Sequence, residues 1–192
     1  MIFRRKNKTL TDAELMQQIV AGDQAAFSEI YLRYKNRMYY YFYRMLDNST
    51  EQANDFLQEL FLKIIEKPES YISSYPFKTW LYSVANNMCK NEYRRRGVRK
   101  EYQEFESLQP KLDFLNEGAI GQEQIIEKIF STLYELGEEH SSAFILRYRE
   151  GFSIREVAEI LVLPEGTVKS RLFYAKKLLA EKLGYLKNEI EF

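Results

Sequence analysis

Residues 151–183 read GFSIREVAEILVLPEGTVKSRLFYAKKLLAEKL, and this stretch decides the fold. Ser153 and Glu156 have the S-x-x-E spacing of a capping box, in which a hydroxyl and a carboxylate each satisfy a backbone N–H left orphaned at a helix start. Ile154, Val157, Ala158 and Leu161 follow at i, i+3, i+4 and i+7, so one face of a short helix is apolar and must pack. Pro164 cannot continue that helix, because it lacks an N–H and clashes with the preceding turn, but it suits the opening of the next one. Val162-Leu163-Pro164 is therefore a turn. In the second helix Val168, Leu172, Ala175 and Leu179 share one side, while Lys169, Ser170, Phe173, Tyr174 and Lys177 share another. Two short helices, a tight turn and a basic outer face predict a helix-turn-helix whose second helix can enter a DNA major groove. Periodicity alone leaves open an ordinary helical hairpin with a solvated lysine face.

Gly166-Thr167-Val168-Lys169-Ser170-Arg171-Leu172 closely resembles the EGTVKSRL signature in region 4 of bacterial RNA polymerase sigma factors. The preceding Leu146-Arg147-Tyr148-Arg149-Glu150-Gly151-Phe152-Ser153 and Glu156-Val157-Ala158-Glu159-Ile160-Leu161 resemble the upstream half of the same region. Two positions depart from the pattern. Val162 stands where the family often has Gly, and Gly137 where Pro is frequent; a β-branched residue resists positive φ, so the turn at Val162 is expected to be altered.

Composition bounds the rest. At 192 residues, with 45% hydrophobic and 15% aromatic content, the chain can bury one large or two small cores and is not disordered in character. The single cysteine, Cys89, excludes a disulfide within the chain and fits a reducing cytosol. No apolar run is long enough for a membrane span, and MIFRRKNKTL has no apolar stretch to make a signal peptide. The zero net charge is partitioned: residues 1–100 carry 17 Lys/Arg against 11 Asp/Glu, residues 101–140 carry 2 against 10, and residues 141–192 carry 9 against 7. Two basic ends around an acidic centre suggest two nucleic-acid-facing domains and a linker.

From the N-terminus, Thr11 and Glu14 form a capping box for a short helix that Gly22 stops. Asp23 caps a long helix with Phe27, Ile30, Tyr31, Tyr34, Met38, Phe42 and Met45 on its apolar side, and the run Tyr39-Tyr40-Tyr41-Phe42-Tyr43 reads as core or partner packing. After Asn48-Ser49-Thr50, a helix carries Ala53, Phe56, Leu57, Leu60, Phe61, Ile64 and Ile65 on a wide apolar face and Asp55, Gln58 and Glu59 on a narrow polar one. Ala53-Asn54-Asp55-Phe56-Leu57-Gln58-Glu59-Leu60-Phe61 resembles the AEDLVQETF motif of sigma region 2. The resemblance implies that Asp55, Gln58 and Glu59 contact the polymerase β′ clamp; without it they read as a solvated face.

Pro76 opens a helix with Trp80, Leu81, Val84, Ala85 and Met88 inward, expected to end at Arg94-Arg95-Arg96. Phe77-Lys78-Thr79-Trp80-Leu81-Tyr82-Ser83-Val84-Ala85-Asn86-Asn87 resembles the family's F-x-x-WL-x-x-IA-x-N segment. Lys78, Tyr82, Asn86, Lys90, Tyr93, Arg94 and Arg95 are read as outward, a face on which phosphates pair with cations and bases stack on rings. In the family this surface melts the minus-ten element and a base is flipped into the loop before it, here by position Ser70 to Tyr75, of which Ser73 and Ser74 would contact the minus-ten strand.

From Gly97 to Gly121 periodicity fails and Pro110, Gly118, Glu101, Glu104, Glu106, Asp113 and Glu117 accumulate, which reads as an acidic linker. Threading the polymerase cleft, as in similar proteins, and a plain charged spacer are both compatible with it. Ile125, Ile126, Ile129, Phe130, Leu133 and Leu136 predict one helix of the C-terminal domain, and Ala143, Phe144, Leu146 and Tyr148 a second. His140, the only histidine, has no partner ligands, so no metal is expected. No phosphate loop, His–Cys cluster or activated nucleophile is found, so catalysis and a cofactor are not expected.

The fold expected is all-α, with two small helical domains: residues 1–96 (region 2-like), an acidic linker at 97–121, and residues 122–192 (region 4-like). A stand-alone helix-turn-helix repressor leaves the N-terminal domain unexplained, and a general single-strand-binding module leaves Gly166 to Arg171 idle. The sequence is identified as a member of the extracytoplasmic-function (ECF) sigma factors, which have only these two domains. That resemblance implies a cytoplasmic protein that binds core RNA polymerase at the β′ clamp and β flap, reads promoter DNA, is masked by an anti-sigma factor and has no small-molecule substrate. Thr167, Lys169, Ser170, Arg171, Phe173 and Tyr174 would read the minus-thirty-five element; Lys169 and Arg171 suit either phosphate or guanine. Tyr174 occupies a site where similar proteins can carry Arg.

Overall fold

A computed structural model describes residues 9–103 and 122–184, and the regular structure among them is entirely helical. No helix among the described residues is long and apolar enough to cross a membrane. They form two compact units: the first runs to Cys89 and takes in Ala158–Val162, and the second takes Lys90–Val157 and the residues from Leu163 onward.

In the first unit, α1 (Asp12–Val20) starts at the predicted capping box. The Thr11 N–H donates to the Glu14 carboxylate at 2.7 Å, and the Glu14 N–H donates to Thr11 Oγ1 at 3.3 Å. Gly22 turns the chain at φ 87°, a conformation that costs glycine little. Asp23 caps α2 (Gln24–Met45), and Ser49 caps α3 (Thr50–Glu66). A single 3-10 turn (Pro68–Ser70) and a short loop lead into α4 (Phe77–Gln103), whose residues up to Cys89 belong to this unit. Helix α2 is the centre of the unit, packed on α1 and α3. Its Ile30, Met38, Tyr41 and Phe42 are fully buried, with Leu15 of α1, Leu60 and Ile64 of α3, and Leu81, Tyr82 and Ala85 of α4. Burying each large side chain contributes about 1.5–3 kcal/mol.

Helix α4 does not end at Arg94-Arg95-Arg96 as expected; it continues to Gln103. Gly97 inside a helix costs only about 1 kcal/mol against Ala, and Arg99, Lys100, Glu101 and Gln103 after it are good helix formers, so one glycine does not stop it. The first residues assigned to the linker are thus helical, and residues 104–121 of that linker lie outside the described residues.

The second unit holds α5 (Gln122–Tyr134), α6 (Glu138–Phe144), a π-helical turn (Ile145–Arg149) and α8 (Glu165–Leu183); α7 (Ile154–Leu161) begins in it, and its residues from Ala158 onward belong to the first. Helix α8 packs on α5 and α6. Val168, Leu172, Ala175, Leu179 and Leu183 form its buried side, against a core that includes Phe130, Leu133, Ala143, Phe144 and Leu146. Gly137 caps α6 at φ 85°, a value closed to proline. The Ser153–Glu156 capping box is present at both its bonds, 2.7 and 3.2 Å. Ahead of it, Arg147 Nη1 donates to the Phe152 carbonyl at 2.8 Å and fixes the chain into α7. His140 Nδ1 lies 2.8 Å from the Leu136 carbonyl, a local bond at the start of α6.

Val162 adopts φ 55°. The expectation that a β-branched residue would avoid this region is corrected: the turn keeps its left-handed residue and carries the strain. Val162 is 75% exposed, so its branches meet solvent rather than packed neighbours.

Candidate nucleic-acid and partner interfaces

Helix α8 presents the clearest interface. With Val168, Leu172, Ala175 and Leu179 inward, the 3.6-residue period turns Lys169, Ser170, Phe173, Tyr174 and Lys177 to solvent. Phe173 is 63% and Tyr174 54% exposed, their rings edge to face at 5.6 Å. Exposed aromatics of this size on a helix packed along its other side point to a binding role. Ser170 Oγ donates to the Gly166 carbonyl at 2.9 Å, and Lys169 lies 4.0 Å from Glu165. Thr167 is half-buried. Arg171 is bound differently from its neighbours: its guanidinium is ion-paired to Glu139 of α6, and its side chain is only 16% exposed. Outside the expected set, Lys176 stacks its ammonium over the Tyr148 ring at 4.9 Å.

On α3 the predicted polar residues Asp55, Gln58 and Glu59 are all exposed on one face, and Glu59 pairs with Lys63 at 3.0 Å. Leu62, 53% exposed, and Ile65, 50% exposed, extend that face by one turn. Ile65 belongs to the wide apolar face expected from the sequence but is exposed, and Leu62 lies outside that expected face. The available signal was the width of the apolar stripe, which exceeded what one packed side uses. The face thus carries both carboxylates and apolar side chains, with Glu66 exposed beside Leu62 and Ile65.

On α4 the expected strand-binding face is corrected. Tyr82 is fully buried and Asn86 is 2% exposed. The Tyr82 ring meets the Tyr41 ring edge to face at 5.3 Å, and the Tyr41 hydroxyl reaches toward Asn86 Oδ1 at 3.4 Å. The reason is geometric: Tyr82 and Asn86 are one turn apart on the side where α4 meets the all-round aromatic middle of α2, so neither reaches solvent. Asn86 Nδ2 is buried without a hydrogen-bond partner. Lys78, half-buried, lies over the Tyr82 ring at 5.9 Å. The exposed strip is rotated to Asn87, Lys90, Asn91, Arg94 and Arg95. Glu92 underlies its end, paired with Arg95 at 2.8 Å and Arg96 at 3.0 Å. Burial pushes the Glu92 carboxyl up, but its hydrogen bonds to the two guanidiniums and their charges outweigh this and hold it below the usual carboxylate range.

Between the 3-10 turn and α4, Ile72, Ser73, Ser74 and Tyr75 are exposed while Tyr71 is buried. Ser73 and Ser74, in the middle of this loop, are thus open to solvent.

Comparison with known proteins bears on these surfaces. Sigma-70 region 2 matches residues 30–99, and Sigma-70, region 4 matches residues 126–179. The chain is 30% identical over 192 residues to the ECF RNA polymerase sigma-E factor of Haemophilus influenzae, covering 91% of this chain and 96% of that one. It belongs to the ECF sigma factors. The ECF RNA polymerase sigma-E factor of Escherichia coli K12 is 29% identical over 187 residues, covering 92% and 96%. The fold resembles that of the sigma factor RpoE solved with the anti-sigma factor NepR from Bartonella quintana, with a TM-score of 0.67, 22% identity and 82% and 96% coverage. It also resembles CnrH, solved with the cytosolic domain of CnrY, with a TM-score of 0.66, 22% identity and 91% and 97% coverage. As an ECF sigma factor the chain is a regulatory DNA-binding protein that directs transcription initiation by RNA polymerase.

Proposed function

We propose that this ECF sigma factor divides its work among three surfaces: α3 docks core polymerase, the loop before α4 and the outer strip of α4 hold the opened minus-ten strand, and α8 reads the minus-thirty-five element. Residues 1–96 act as the region 2 domain, 122–192 as the region 4 domain, and 97–121 as the acidic connection. It works in the cytoplasm without chemistry of its own; binding, not catalysis, is its activity.

The observation that carries this reading is the sidedness of α8. One side is buried on Val168, Leu172, Ala175 and Leu179, and the other offers Lys169, Ser170, Phe173 and Tyr174 to solvent. A cation, a hydroxyl and two rings are the groups that reach base edges, thymine methyls and phosphates in a major groove. Cations at Lys90, Arg94 and Arg95 suit a phosphate backbone, and the loop tip at Ser73 and Ser74 suits hydrogen bonding to an unpaired base. Asp55, Gln58 and Glu59, extended by Leu62 and Ile65, suit the β′ clamp, and the region 4 unit the β flap. An anti-sigma factor is the expected regulator, because the fold neighbours RpoE and CnrH were solved with NepR and with the cytosolic domain of CnrY.

The test is run-off transcription with purified core polymerase on a random promoter library. The protein is expected to select a two-part promoter, and Asp55→Arg or Glu59→Lys to abolish selection by weakening docking. Selection of nothing, together with a stable homodimer on gel filtration, overturns the reading in favour of a repressor.

A further inference from the structure

We propose that Tyr71 is a positioning residue, whose buried ring and hydroxyl together hold the loop from Ser70 to Tyr75 in the conformation that offers Ser73 and Ser74 to an unpaired base. The proposal rests on the reading that this loop handles the opened strand.

A short polar loop with Ile72 63% exposed and Tyr75 59% exposed has little of its own to keep it in one shape. Tyr71 supplies what is missing. Its ring is 9% exposed and meets Phe77 at 5.4 Å and Trp80 at 5.4 Å, so the near end of the loop is packed against the first turn of α4. Its hydroxyl donates to the Tyr75 carbonyl at 2.7 Å, which ties the far end of the loop to the near end. The Tyr75 N–H donates to the Ile72 carbonyl at 3.1 Å and closes the tip, and Ser70 Oγ donates to the Lys67 carbonyl at 2.7 Å and fixes the entry. Only Ser73 and Ser74 lie between these ties.

The clamp is anchored from behind. Phe77 meets the Tyr34 ring of α2 at 5.3 Å. The Tyr34 hydroxyl donates to Asp12 of α1, whose carboxylate also pairs with Arg33 at 2.8 Å, while Arg33 Nε pairs with Glu29 at 3.0 Å. Packing alone would be met by phenylalanine at position 71; the hydroxyl is what reaches the loop backbone. A loop ordered before the base arrives avoids the entropy of ordering it afterwards, and it sets the tip hydroxyls to within the tolerance that discrimination between bases requires.

The experiment uses full-length protein with core polymerase on a promoter taken from the library selection, with each of the four bases placed in turn at every unpaired minus-ten position. Open-complex formation gives the ratio of the preferred base to the next best. Tyr71→Phe is expected to lower that ratio by roughly fivefold, the equivalent of one neutral hydrogen bond, while affinity for core polymerase and for minus-thirty-five duplex stays unchanged. A Ser73→Ala/Ser74→Ala protein separates the two levels of the argument. If the tip variant lowers the ratio and Tyr71→Phe does not, even with a lower melting temperature, the positioning role is overturned and the loop reading stands. If neither lowers it, both fall.

Discussion

Arg171 of α8 is ion-paired to Glu139 in the first turn of α6, with the arginine side chain 16% exposed and the glutamate 62% exposed. The guanidinium is therefore engaged within its own unit, and Lys169, Phe173 and Tyr174 form the open part of the α8 surface. A pair this accessible on its acidic side is worth about 0.2–1 kcal/mol. Glu139→Gln is expected to free the guanidinium and tighten holoenzyme binding to minus-thirty-five duplex about two- to fivefold at low salt. Fluorescence anisotropy would measure this, and unchanged affinity would mean that Arg171 does not reach DNA even when released.

Tyr82 belongs to the core and not to the exposed strip of α4. Tyr82→Ala should cost about 3–5 kcal/mol of stability, as for other large aromatic truncations. The loss should appear in thermal unfolding of the protein alone, before any nucleic acid is added.

Lys90, Arg94 and Arg95 lie on the exposed strip of α4, so their effect should be electrostatic. Replacing any one with Ala is expected to leave melting temperature nearly unchanged and to reduce the slope of log affinity against log salt for single-stranded minus-ten DNA by about 0.7. A slope that does not move removes that residue from the phosphate path.

Val162 holds φ 55° with a β-branched side chain, a conformation that costs a chiral residue about 1–2 kcal/mol. Val162→Gly should relieve part of it and stabilise the protein by about 1 kcal/mol, whereas Val162→Ala keeps the Cβ and should gain much less. Calorimetry on the three proteins decides.

Two carboxylates give the acid response its sign. The Thr11 backbone N–H, and then its hydroxyl, hold the Glu14 carboxyl below the usual range, and Arg95 and Arg96 outweigh burial to do the same for Glu92. A group whose pKa is depressed by folding stabilises the fold above its unfolded value and loses that contribution as pH falls through the folded one. The start of α1 and the far part of α4 should therefore be insensitive to pH from 7 to 5 and weaken below about pH 4. Glu14→Gln should flatten the first response, followed by amide exchange in α1.

Much of this molecule was legible in its sequence because its signals are local. Both capping boxes, the stop at Gly22, the turn before Pro164 and the inward side of α8 depend on residues within one or two turns, and each formed as read. What failed depended on what lies across the helix. Nothing in Lys78-Thr79-Trp80-Leu81-Tyr82 says that Tyr82 will meet Tyr41, so a polar, aromatic i, i+4 series reads as a surface although its middle is core. Leu62 and Ile65 were hidden for the opposite reason: apolar residues beside a packed stripe look like part of it. The Glu139–Arg171 pair spans 32 positions and has no sequence signature at all. Gly97 misled because a helix tolerates one glycine when its neighbours favour the helix.

Cys89, the only sulfhydryl in the chain, is fully enclosed in the first unit. Thiol-directed reagents should pass over the folded protein. A cysteine installed at Ser74 or Lys177 would then be the sole reachable handle for a fluorophore or spin label, so the movement of the loop tip or of α8 during promoter opening can be followed without first removing a native reactive group.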